Sequence, residues 1–165
     1  VRGVRTAIYP GSFDPFTLGH LDILERACGI FDRVIVAVLR NPNKTPTFSG
    51  EERMDMIRES VSNDRVTVDS FEGLTVQFAQ QVDAAAIVRG LRATSDFESE
   101  FQMALFNRKL APMVSTVFLM TSFANVFLSS SLIKEVASHG GDVEFAVPPS
   151  VATRLAGLRE NRSRG

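Results

Sequence analysis

Apolar and polar positions along the chain follow two periods in turn. Short runs rich in β-branched residues read as buried strands: Val4–Tyr9, Arg33–Leu39, Arg65–Asp69, Ala84–Val88 and Val114–Met120. Between them the apolar positions recur at helical spacing. Leu21, Leu24, Cys28 and Phe31 fall on one helix face. Ser49 with Glu52 and Ser95 with Glu98 have the spacing of capping boxes. The first predicts a helix through Arg53, Ile57 and Glu59. The second predicts a helix running to about Leu110, before Pro112. Leu74–Val82 reads as a shorter helical stretch. Ser129 predicts a cap on a helix through Ile133, Lys134 and Val136, ended by Gly140 and Gly141. Pro148, Pro149 and Ser150 introduce a last helix and an Arg-bearing tail.

Strands alternating with helices predict βαβ units. The expected fold class is α/β: a single doubly wound, Rossmann-like domain over residues 1–165. It would hold a five-stranded parallel sheet in the order 3-2-1-4-5, with helices on both faces, and residues 154–165 as a partly ordered tail. In such a sheet, ligands bind beyond the carboxyl ends of the strands, where the winding direction reverses. That places the expected chemistry in two loops, Pro10–Gly19 and Arg89–Thr94.

Composition narrows the class. The chain has 165 residues, 44% hydrophobic and 22% charged, which suits a globular domain with a real core. Its 18 Lys plus Arg and 19 Asp plus Glu leave a net charge of −1, which argues against a nonspecific grip on nucleic acid. Cys28 is the one cysteine, so an internal disulfide and a cysteine-rich zinc site are excluded. No apolar run reaches the ~18 residues that a membrane span needs. Val1–Ile8 has no signal-peptide pattern, and the cytosol is the expected compartment.

The first loop contains Pro10-Gly11-Ser12-Phe13-Asp14-Pro15-Phe16-Thr17-Leu18-Gly19-His20. Gly11 permits a close turn after the strand, and Thr17 can cap the next helix. Gly19 and His20 then fall in its first turn, where unpaired N–H groups and the helix dipole suit phosphate. A lone helical histidine is more often an ordinary exposed residue, but Gly19-His20 at a helix start after the first strand reverses that weighting. In the second loop, Arg89 and Arg92 can grip phosphate, and Gly90 permits close backbone approach. The plainer alternative is two surface arginines paired with Asp96 and Glu98. Lys44, in a flanking loop, can act as a mobile cation or be a solvated loop lysine. Ser129 as a helix cap explains one serine of Ser129-Ser130-Ser131, not three. Cys28 reads as an inert core residue. No nucleophile with its base and no metal-ligand spacing is evident. Positioning and charge stabilisation remain, as in phosphoryl and nucleotidyl transfer.

Thr17-Leu18-Gly19-His20 resembles the T-x-G-H signature of the nucleotidyltransferase superfamily. Within it the chain closely resembles the bacterial phosphopantetheine adenylyltransferase family. The similarity runs from Tyr9 to about Pro148. It rests on Tyr9-Pro10-Gly11-Ser12-Phe13-Asp14-Pro15, Asn41-Pro42 with Lys44, Arg89-Gly90-Leu91-Arg92, and Ser129-Ser130-Ser131-Leu132 with Lys134-Glu135-Val136. The resemblance implies adenylyl transfer from ATP, with Mg²⁺, to 4′-phosphopantetheine, giving dephospho-coenzyme A and pyrophosphate without a covalent enzyme intermediate. It implies catalytic roles for His20, Lys44 and Arg92. Ser12, Phe13, His20, Gly90, Leu91, Arg92, Glu100 and Asn125, Val126, Phe127, Leu128, Ser129, Ser130, Ser131 would contact ATP. Ser12, Lys44, Leu74, Thr75 and Arg89 would hold the acceptor, and no protein side chain is expected to ligate a metal. It further implies a cytoplasmic homohexamer, a dimer of trimers, with coenzyme A as a feedback ligand and neither nucleic acid nor membrane as partner.

The chain departs from the family pattern at Asn125-Val126, where many members have an aromatic residue and then Ser. Ser99 stands where many have Tyr, and Ser138 where some enterobacterial members have Arg. Three other readings compete. They are a sister nucleotidyltransferase with another acceptor such as nicotinamide mononucleotide, a noncatalytic nucleotide-binding protein, and an RNA-binding module, which the charge balance disfavours.

Overall fold

Strands β1 (Thr6–Gly11), β2 (Arg33–Leu39), β3 (Val66–Phe71), β4 (Ala86–Leu91) and β5 (Ser115–Met120) form one all-parallel sheet in the order β3-β2-β1-β4-β5. The helices are α1 (Leu18–Ile30), α2 (Gly50–Ser60), α3 (Thr75–Gln81), α4 (Thr94–Leu110), α5 (Ser130–Ser138) and α6 (Pro149–Arg162). This computed structural model describes residues 3–162, and all their side chains except those of Thr94, Ser95 and residues 159–162. Order, direction and class match the expectation from the sequence.

The strand period of two divides the core into two layers. Ala7, Tyr9, Val34, Val36, Val38, Ala86 and Val88 pack on one face with residues of α1, α2, α5 and α6. Ile8, Ile35, Ala37 and Ile87 pack on the other with Val76, Phe78 and Ala79 of α3 and with Ala111 and Val114. Cys28 is buried in the first layer, as its place on the apolar face of α1 predicts.

Local signals at the helix starts are largely realised. Ser49 and Glu52 form both halves of a capping box at α2, and the Ser129 hydroxyl accepts the N–H of Leu132 at α5. Helix α4 differs. It begins at Thr94 with Ala93 in the cap position and no side-chain cap bond, so Ser95 sits inside the helix. The Ser95 hydroxyl lies outside the described side chains. The Asp96 carboxylate instead accepts the N–H of Arg92 at 3.3 Å. Arg154, expected to begin the tail, lies within α6 and makes a two-pronged pair with Glu59 of α2, at 2.7 and 3.0 Å. Residues 163–165 of that tail fall outside the described residues.

The strands part where the site begins. β1 and β2 pair over six residues, whereas β1 and β4 pair only at Ala7–Ala86 and Ile8–Ile87. Pro10 has no N–H to offer β4. Its carbonyl accepts a hydrogen bond from Arg89 Nη1 at 3.0 Å. The sheet therefore opens between the carboxyl ends of β1 and β4, at the reversal of winding.

Candidate active site

A cavity of about 580 Å³ lies at this opening. The β1–α1 loop supplies Ser12, Phe13, Asp14 and Thr17 to its wall, and the first turn of α1 supplies Gly19 and His20; β4 and the residue after it supply Arg89, Gly90 and Arg92. Lys44, Arg53, Asp96, Glu100, Ser129, Ser130, Ser131 and Lys134 add further polar lining, and Leu128 an apolar side chain. Residues distant in sequence thus meet at one end of one sheet. Leu74, Thr75, Leu91, Asn125, Val126 and Phe127 do not line this cavity. Leu74 is half exposed at the start of α3. The Asn125 carbonyl lies 3.7 Å from where a Cβ on Gly19 would stand, so this segment leans on the start of α1.

His20 is the third residue of α1, and it completes a capping box with Thr17. Its Nδ1 accepts the Thr17 N–H at 3.0 Å, and its own N–H donates to Thr17 Oγ1 at 3.2 Å. A ring nitrogen that accepts a backbone proton carries none itself, so the neutral ring has its proton on Nε2. Phe13 meets the ring edge-on and Phe16 stacks on it. Burial, with Arg92 and Arg89 nearby, pushes its pKa down to about 4. The site thus holds a neutral, fixed N–H donor among cations.

Two glycines carry a different meaning from the one their loops suggested. Gly11 ends β1. A Cβ there would stand 2.9 Å from the tip of the Phe13 ring, which folds back because Phe13 turns at φ 48°. Gly90 belongs to β4, opposite Leu119, and is not a loop residue. A Cβ there would meet Ile23 Cγ1 at 2.9 Å, so it lets α1 pack tightly on the sheet. Both glycines answer to packing density.

The arginines are anchored. Arg89 is also a strand residue rather than a loop residue, because β4 pairs with β5 out to Leu91–Met120. Its Nε donates to Glu100 Oε2 at 2.8 Å and its Nη2 to Glu100 Oε1 at 2.6 Å. Burial acts against the charge of Arg89, but Glu100 and its bonds outweigh burial and raise the pKa. The partner is Glu100, not Asp96 or Glu98. Arg92 donates from Nη1 to the Leu128 carbonyl at 3.1 Å and lies 3.5 Å from Asp96. Lys44 is exposed at the cavity rim.

The serine run divides its labour. Ser129 caps α5, Ser130 donates to the Pro15 carbonyl at 2.7 Å, and Ser131 stands exposed at the cavity wall. Four charged lining residues escaped site assignment from the sequence: Asp14, Arg53, Asp96 and Lys134. Asp14 and Lys134 form an ion pair of 2.9 Å across 120 positions. The Arg53 guanidinium is buried and donates to the carbonyls of Ser12 and Leu39. Local sequence carries no sign of either arrangement, since both depend on chain segments brought together by the sheet.

A family model described as cytidylyltransferase-like matches residues 8–136. A phosphopantetheine adenylyltransferase of Heliobacterium modesticaldum is 58% identical over 154 residues, covering 93% of this chain and 92% of its own. One from Synechococcus elongatus is 60% identical over 150 residues, covering 90% of each. Another, from Carboxydothermus hydrogenoformans, is 55% identical over 153 residues, covering 92% and 94%. Among solved structures, one described as a nicotinate-nucleotide adenylyltransferase from Vibrio parahaemolyticus superposes with a TM-score of 0.70. It covers 93% of this chain and 91% of its own, but at 15% identity it bears on the fold alone.

Proposed function

The chain belongs to the cytidylyltransferase-like family and, within it, to the phosphopantetheine adenylyltransferases; on that premise we propose that it transfers the adenylyl group of ATP to 4′-phosphopantetheine. The products are dephospho-coenzyme A and pyrophosphate. The observation that carries this reading is the fixed Nε2–H of His20 in a cavity lined by Lys44, Arg89, Arg92 and Lys134.

A phosphate oxygen of the acceptor attacks the α-phosphorus in line. A new P–O bond forms as the bond to the leaving pyrophosphate breaks. The His20 Nε2–H donates to an α-phosphate oxygen, and this bond strengthens as charge builds there. Because His20 is neutral, it stabilises by donation and gives up no proton. Lys44 and Ser12 hold the acceptor phosphate near the α-phosphorus. Arg92 and the start of α5 hold the β- and γ-phosphates. Arg89 faces the acceptor side, and its bond to Glu100 fixes the angle of both groups between the two substrates. Leu74 and Thr75 extend the acceptor side, and Gly90, Leu91 and Asn125–Leu128 the nucleotide side.

The donor set bears on the metal. Among the described residues no three His, Cys, Asp or Glu side chains group so as to hold an ion. The cavity carboxylates of Asp14, Asp96 and Glu100 each face a cation of the protein. These residues do not fit a resident metal site. Magnesium comes with ATP, on its phosphates, as part of the substrate.

The same reading includes a cytoplasmic homohexamer with coenzyme A as a feedback ligand. No helix among the described residues is long and apolar enough to cross a membrane. Support for assembly comes from α4, β5 and the connection between them, which expose Phe101, Met103, Phe106, Met113 and Met120. Apolar surface of that extent is uncommon on a monomer.

The test is pyrophosphate release from ATP and Mg²⁺ with 4′-phosphopantetheine, beside nicotinamide mononucleotide. Release with phosphopantetheine alone is expected. Release only with the mononucleotide would overturn the acceptor, and binding of ATP without release would overturn the transfer.

A further inference from the structure

Asp14 is an acid in the wall of a cavity built for anions. Its bare charge would repel phosphate, and neighbouring donors offset it. Oδ1 accepts the Phe48 N–H at 2.9 Å, while Oδ2 accepts the Thr47 N–H at 2.9 Å and Lys134 Nζ at 2.9 Å. Burial raises the Asp14 pKa, but these bonds outweigh it and hold the carboxyl below its usual range. Asp14 is only 8% exposed.

The three donors come from different parts of the chain. Thr47 and Phe48 close the segment that carries Lys44. Lys134 lies one turn into α5, just past Ser129–Ser131. Asp14 itself follows Ser12 and precedes the start of α1, which holds His20. A second bond, from Ser130 to the Pro15 carbonyl, joins the same loop to α5. One carboxylate therefore meets every segment assigned above to the acceptor phosphate, the α-phosphate and the leaving group, except that of Arg92.

We infer that Asp14 is a positioning residue for adenylyl transfer: its carboxylate keeps the Lys44 segment, the β1–α1 loop and α5 in register around the cavity. The inference rests on the function proposed above. In-line transfer is sensitive to such register, since a displacement of about 1 Å can cost on the order of 100-fold in rate. Substrate affinity depends less on it, because each phosphate keeps its own cations.

Asp14→Asn tests this, with wild-type pyrophosphate release as the first reading. If the wild type is inactive with phosphopantetheine, the proposed function fails, not the role of Asp14. Against an active wild type, Asp14→Asn is expected to lower kcat at least about 10-fold while equilibrium ATP affinity stays within about threefold. Hydrogen exchange at the Thr47 and Phe48 amides is expected to quicken, a reading independent of turnover. Unchanged kcat, unchanged exchange at both amides, or an ATP affinity that falls as far as kcat would each overturn the inference. Should Asp14→Asn not fold, Lys134→Met cuts the link from the less buried side. It is expected to lower kcat about 10-fold with ATP affinity within about threefold, and Lys134→Arg is expected to restore most of the rate. A large loss of ATP affinity in Lys134→Met, or no rescue by Arg, would overturn it.

Discussion

His20 and Thr17 exchange two hydrogen bonds: the Thr17 N–H donates to Nδ1 of the His20 ring at 3.0 Å, and the His20 backbone N–H donates to Thr17 Oγ1 at 3.2 Å. This pair fixes the tautomer of the ring by helix capping alone. Removing the ring removes the Nε2–H donor. His20→Ala is therefore expected to lower kcat by roughly 100- to 1000-fold, as loss of one donor to a developing oxyanion does, with little change in ATP affinity. Steady-state kinetics beside equilibrium nucleotide binding checks this, and an unchanged kcat would remove His20 from the mechanism.

The same residue sets a pH dependence. Its folded pKa of about 4 lies below the ordinary 6.5, so between these values the unfolded chain binds the proton more readily. Stability from the neutral ring is present above pH 6.5 and is lost as pH falls toward 4. Thermal unfolding of wild type and His20→Gln across this window is expected to give converging curves at low pH. Parallel curves would contradict the depressed pKa.

Lys44 is exposed at the rim, with no carboxylate partner among the described ion pairs. Lys44→Ala is expected to leave unfolding unchanged, raise KM for phosphopantetheine about 10-fold and lower kcat. Normal saturation by the acceptor would sink its role.

Arg89 and Glu100 are half-buried and doubly bonded. Glu100→Ala leaves the Arg89 charge without its carboxylate. Allowing for partial exposure, the cost is roughly 1–2 kcal/mol, or a Tm lower by roughly 3–6 °C for a chain of this size. An unchanged Tm by calorimetry would show the pair to be structurally neutral.

Exposed α4 residues give the last expectation. Sedimentation of the wild type should show six chains of 18.1 kDa, and Phe106→Asp, at a side chain 67% exposed, should shift the protein to smaller species. A wild-type monomer at micromolar concentration would end the hexamer reading.

The class of fold and the end of the sheet where ligands gather are legible in the amino-acid chain alone. Strand runs of period two, helical spacing between them, and the Ser49–Glu52 box are local signals, and local physics suffices to realise them. Thr17 and His20 were legible for the same reason, being three residues apart. The exact strand ends were not: β4 runs on through Arg89 and Gly90 because β5 supplies pairing partners, which no local window contains. Tertiary structure also decided what the charged groups do. Arg89 reads from sequence as an open fork, and only the packing of α4 against β4 brings Glu100 to it. Asp14 and Lys134 are 120 positions apart, and Arg53 meets the Ser12 carbonyl across 41. Gly90 reads as room for a ligand until Ile23 is seen filling that space. A chain encodes such pairings only through the sheet order that joins them, so their chemistry appears when the strands are placed side by side.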